Sequence, residues 1–189
     1  MNQLKSFASF LLLLTSFTSS AQVIETVEYK YYVISPNSPY QIKPELMRHS
    51  PIRDDKGSYN GRTDWYISWR YQTATGAYGC QLRNISTRIQ IAYILPALSE
   101  QVTDLKTIEV FNKFNDALTS HEKNHGKNGL AAAGEIDKAL NKIQPQQNCR
   151  QLKRMADATA NAIVQKYTQA DIEYDRLTNN GMTEGAVIY

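Results

Sequence analysis

The sequence predicts an α+β fold: a mostly antiparallel sheet in the N-terminal half, packed against a C-terminal helical part. Two changes along the chain carry that expectation. Up to about Leu95 apolar and aromatic residues alternate with period two, and from about Thr103 they recur at intervals of three and four. Length bounds it further, because 189 residues suffice for one domain with a sizeable core and leave little room for two.

The stretch 1–21, "MNQLKSFASFLLLLTSFTSSA", has a basic residue at Lys5, an apolar run from Phe7 to Phe17, and small residues at Ser19 and Ala21. It reads as an export signal cleaved after Ala21, because the run is too short for a spanning helix and ends in Ser and Thr. The single domain expected is therefore 22–189, in the periplasm or outside the cell. No later segment is apolar enough to cross a bilayer.

In "VEYKYYVI" and "WYISWRY" the abundance of Tyr, Val, Ile and Trp favours strands. The second alternates Trp65, Ile67, Trp69 and Tyr71 on one face against Tyr66, Ser68 and Arg70 on the other. "YGCQLRNISTRIQIAYILP" keeps Ile85, Thr87, Ile89, Ile91 and Tyr93 in phase, and Pro96 is the expected end of that strand. "SPIRDDKGSYNGRTD" is loop or hairpin material. Phe111, Phe114 and Leu118 then mark a helical stripe that continues into His121 and His125. Gly126 and Gly129 offer a bend or an end, so "LAAAGEIDKALNKI" is expected as a second helix closed by Pro145. A third runs from about Cys149 to Leu177, with Ala156, Ala160, Ile163 and Tyr167 on its apolar face.

A formal net charge of +3, spread without a basic block, argues against nucleic acid or an anionic membrane as the main partner. The only two cysteines, Cys80 and Cys149, meet an oxidising compartment after export and are expected to form a disulfide. They lack the paired C-x-x-C spacing of a zinc site.

"LTSHEKNHG" carries the chemistry. His121 and His125 are four apart, so on a helix both imidazoles aim at one point, and Glu122 suits a base acting on water at a metal rather than a third ligand. Because the histidines continue the apolar stripe, they face inward, as ligands must. A catalytic zinc takes three protein ligands and leaves one position open. The longer pattern H-E-x-x-H-x-x-G-x-x-H fails, with Asn128 in place of its glycine and Ala131 in place of its third histidine. Glu135 lies about 15 Å further along a continuous helix, and His49 in "LMRHSPI" reads as a surface loop residue. The stretch "DIEYDRLTNNGMTEGA" is the better source, since Asp171, Tyr174, Asp175 and Thr178 share one helical face.

The order of "GRTDWYISWRY", Cys80 in a strand, "ILP", "HEKNH", Cys149 and "YDRLTNNGMTEGA" resembles a bacterial domain family of unknown function whose members are described as predicted secreted zinc-dependent proteases. The likeness covers nearly all of the chain beyond the signal and implies a zincin-like helical part. Tyr174, Asp175, Thr178, Gly181, Gly185 and Ala186 match the family's ending, whereas Asn180 replaces its histidine and Glu184 its common glutamine. Three outcomes stay open: Asp175 or Glu184 completes the zinc site, Asn180 binds through its amide oxygen, or the metal is lost from a retained fold. The expected function is a secreted zinc peptidase acting on a peptide or protein, with Glu122 as base and Tyr174 as oxyanion stabiliser. Asp175 is expected to ligate zinc or to orient a histidine. The alternative is a non-catalytic secreted or envelope binding module with a degenerate metal site.

Overall fold

The computed structural model describes residues 23–55 and 57–188; the expected export signal lies outside them. The elements are β1 (Ile24–Ile34), α1 (Pro39–His49), β2 (Arg53–Asp54), β3 (Gly57–Ser58), β4 (Arg62–Gly76), β5 (Gly79–Leu98), α2 (Leu105–Lys142), α3 (Cys149–Thr178) and a 3-10 turn at Met182–Glu184. The α+β class is as expected. Three strands lie in the order β1-β5-β4, and β2 pairs with β3 in a small hairpin of its own. The long pairing of β4 with β5 is antiparallel, whereas β1 runs parallel to β5. The sheet is thus mixed: alternation assigns side chains to faces but carries no information on strand direction.

Ile89, Ile91, Tyr93 and Leu95 of β5 point into the core with Phe111, Phe114 and Leu118 of α2. Asp104 caps α2 by accepting from the Thr107 amide at 2.8 Å and its hydroxyl at 2.6 Å, which satisfies a donor the helix start leaves unpaired. Asn148 caps α3 in the same way through the Gln151 amide at 2.9 Å. Ala132 and Ala133 of α2 and Ala156 and Ala160 of α3 are fully buried, and small side chains allow packed helices to approach closely.

Three expectations require correction. The helix does not break at its glycines, for α2 is continuous through Gly126 and Gly129. Those glycines instead admit the sheet: an added Cβ would lie 1.9 Å from Tyr93 Oη at Gly126 and 2.6 Å from Trp65 Cγ at Gly129. β5 likewise runs through Pro96 to Leu98. Helix α1 was not anticipated, because Pro44 interrupts its sequence and only Ile42 and Leu46 are buried, too few to mark a stripe. His49 ends α1 rather than lying in a loop, and its side chain is 45% exposed, a surface residue as expected.

Cys80 and Cys149 are bridged, joining β5 to the first turn of α3 across 69 residues of sequence. Reciprocal backbone bonds of 2.8 Å between Cys80 and Gln146 already hold the two segments together. Replacing both cysteines by alanine is therefore expected to preserve the fold and lower its stability by about 4 kcal/mol, the chain-entropy value for a loop of this length. Urea denaturation of the oxidised native chain against the double variant measures this, and coincident midpoints would contradict it.

Candidate metal centre

Helices α2 and α3 run antiparallel, so residues one turn apart on each meet in reverse order. Asp175 Oδ1 lies 3.1 Å from His121 Nε2 and 2.9 Å from His125 Nε2, and the two Nε2 atoms are 3.3 Å apart. These three residues form the metal-capable cluster found among the described residues. Donors about 2.0–2.2 Å from a common zinc in tetrahedral arrangement are themselves separated by roughly 3.3–3.5 Å. The two imidazole nitrogens stand at that separation, and the carboxylate oxygen lies a few tenths of an ångström closer to each than a bound zinc would require.

The other ring nitrogens are committed elsewhere. His121 Nδ1 is 2.9 Å from Glu184 Oε2, and His125 Nδ1 is 3.0 Å from Asp171 Oδ1. Such carboxylate partners hold the proton on Nδ1 and leave Nε2 to donate a lone pair to a metal. Each partner is itself braced. Asp171 accepts from Trp65 Nε1 at 2.7 Å and from Asn128 at 2.8 Å. Glu184 accepts from the Tyr174 hydroxyl at 2.9 Å, while Tyr174 stacks on the His121 ring with centroids 4.9 Å apart.

The charges respond to this packing. Burial opposes the imidazolium of His125, but its bonds to Asp171 and Asp175 prevail and raise its pKa; His121 follows through Asp175 and Glu184. Burial opposes the Asp175 carboxylate too, yet both histidines hold it well below the usual carboxylate range. A metal entering the cluster must displace imidazole protons, so its apparent affinity rises with pH. Burial raises Glu122, an effect that its Thr63 bond counteracts.

Glu122 is 4% exposed and is reached from the sheet. The Thr63 hydroxyl lies 2.7 Å from Glu122 Oε2 and 2.9 Å from its backbone carbonyl. Gly61 makes room for it, since an added Cβ there would stand 2.7 Å from Glu122 Oε1. A cavity of about 600 Å³ opens beside the cluster, lined by His121, Glu122, His125, Asp171 and Asp175 together with residues of the β2–β3 hairpin, the start of β4 and the C-terminal turn.

Two further expected site residues, Tyr174 and Asn180, stand differently with respect to the cavity. Tyr174 is not among the cavity-lining residues; its hydroxyl donates to Glu184 and accepts from Asn124 at 2.8 Å. Through Glu184 its hydroxyl braces His121, and the phenol that lines the cavity is Tyr59. Asn180 also lines the cavity, but it is exposed and left-handed (φ 52°). The carboxylate that meets both histidines is that of Asp175, and Asn180 is not in that cluster.

Thr63, Gly61, Trp65 and Asp171 had no assigned site role in the sequence. Only the shared helical face of Asp171 and Asp175 pointed to one of them. No helix among the described residues is long and apolar enough to cross a membrane. Residues 29–182 match the family described as "Bacterial protein of unknown function (DUF922)". Comparisons with curated proteins and with solved structures find no match.

Proposed function

The chain belongs to this bacterial family, and from its site we propose that the protein is an exported zinc-dependent peptidase. The carrying observation is the convergence of His121 Nε2, His125 Nε2 and an Asp175 oxygen, with both Nδ1 atoms tied to carboxylates. Neutral His121 and His125 and ionised Asp175 would hold the ion, a donor set that suits zinc and leaves an open position. Zinc bound there would polarise a peptide carbonyl and lower the pKa of a water toward about 7.

Glu122 sits next in sequence to the first ligand, with one carboxylate oxygen held by Thr63. It takes the proton of the attacking water as the new C–O bond forms, then delivers it to the amine nitrogen as the C–N bond breaks. Burial, which raises the Glu122 pKa, makes the carboxylate more basic and better suited to that transfer. Trp65 and Asn128 keep Asp171 aimed at His125, and Tyr174 keeps Glu184 aimed at His121.

The test is cleavage of a mixed peptide library by the purified chain after removal of the export signal. Cleavage should cease with a chelator and return with added zinc. No cleavage of any peptide by zinc-loaded protein would favour the second reading, a binding module on the same fold, for which Asn180 in place of the family's histidine is the supporting observation. Gly61→Ala should lower turnover without lowering zinc content, because the methyl group displaces Glu122 and not the ligands. Its overpacking is expected to cost about 1–3 kcal/mol in denaturation; unchanged turnover with unchanged stability would contradict the contact.

A further inference from the structure

The cavity is not symmetric about the metal cluster. Because α2 and α3 are antiparallel, Thr168 and Ile172 lie toward the His125 end and Leu118 toward the His121 end. Ile172 is 56% exposed, so that end is open. At the other end Leu118 and Ala186, only 4% and 5% exposed, form a floor, and Ile52, 5% exposed, lines the same cavity. Leu118 is one turn before His121 on the same helical face. A Cβ placed on Gly61 would meet both Leu118 Cδ1 at 3.0 Å and Glu122 Oε1 at 2.7 Å. One placed on Gly181 would meet His121 Cγ at 2.9 Å and Ala186 Cβ at 3.2 Å. The apolar floor therefore abuts the base and the first histidine directly. Met182, 47% exposed, also lines the cavity and receives the Asn179 amide on its sulfur at 3.3 Å.

Given the peptidase reading, on which this step rests, we infer that the recess of Ile52, Leu118, Met182 and Ala186 is a specificity subsite for an apolar side chain next to the scissile bond. Its floor residues bring no charge or hydrogen-bonding side chain. A carboxylate entering it would lose its water close to the Glu122 carboxylate, which disfavours acidic residues twice over. An aliphatic group would exchange water for Leu118, Ile52 and Ala186, the kind of contact in which added methylenes discriminate by about 10- to 200-fold. The substrate class is thus peptides with a Leu-, Met- or Phe-like residue flanking the cleaved bond.

Binding of hydroxamates to the zinc-loaded chain tests this without requiring turnover. The probes carry a glycine, leucine or aspartate side chain beside the chelating group and are made in both chain directions, as amino-acid and as succinyl hydroxamates. In one direction the leucine probe should bind at least 10-fold more tightly than glycine, with aspartate weakest. Ala186→Leu should fill the recess and erase that gain while leaving the glycine probe's affinity in place. Should Ala186→Leu fail to fold, Leu118→Ala enlarges the recess and should raise affinity for a naphthylalanine probe relative to leucine. Equal affinities for leucine and glycine in both directions, or a leucine preference that survives the recess variants unaltered, would overturn the subsite and leave the metal site standing. Failure of every probe to bind would overturn the metal-site reading and the subsite with it.

Discussion

Glu122→Gln is expected to leave about one zinc per chain and to lower turnover by roughly 10²- to 10⁴-fold, the usual contribution of a positioned general base. The amide keeps the shape of the carboxylate and can still accept from Thr63, whose hydroxyl lies 2.7 Å from Oε2. It cannot take up the proton. Both imidazoles and Asp175 are untouched, so loss of activity should separate cleanly from loss of metal. Kinetics with a peptide that the native protein cleaves, alongside elemental analysis of the same sample, measure both. Turnover near the native value would remove Glu122 from the mechanism, and a parallel loss of zinc would mean that it acts as a ligand.

Asp175→Ala carries the second large effect. Among the described residues, Asp175 is the carboxylate whose oxygen reaches both Nε2 atoms, at 3.1 and 2.9 Å. Loss of a supporting residue alone commonly lowers metal affinity about 10- to 100-fold, and loss of a ligand should exceed that. Asp171→Ala provides the contrast, because Asp171 touches the far nitrogen of His125 and its removal should stay within the smaller range. The histidine pKa values, held up partly by Asp175, should also fall in the Asp175 variant. Competition titration with a chromophoric chelator gives the affinities. Equal losses in the two variants would deny Asp175 its place as third ligand.

The sequence made one half of the centre readable and concealed the other. His121 and His125 were legible because a helix repeats every 3.6 residues and they extend the stripe of Phe111, Phe114 and Leu118. Asp171 and Asp175 were legible as a shared face, and the helix pairing then decided which meets which nitrogen. The support from the sheet could not be read. Thr63 reaches Glu122 across 59 residues and Trp65 reaches Asp171 across 106, and no local periodicity reports contacts of that range. The shared helical face placed Tyr174 beside the cluster but could not show that its hydroxyl bonds Glu184. The glycines misled for a related reason. In isolation Gly126 and Gly129 weaken a helix, but here they are where Tyr93 and Trp65 approach α2.

Zinc bound per chain is the most direct test of the central claim. The chain from Gln22 onward, purified without chelator, loaded with zinc and dialysed against metal-free buffer, should retain one zinc per chain by elemental analysis. His121→Ala and His125→Ala, treated identically and shown to be folded, should retain none. A native chain without zinc, or histidine variants that hold as much as the native protein, would contradict the metal centre and the peptidase chemistry derived from it.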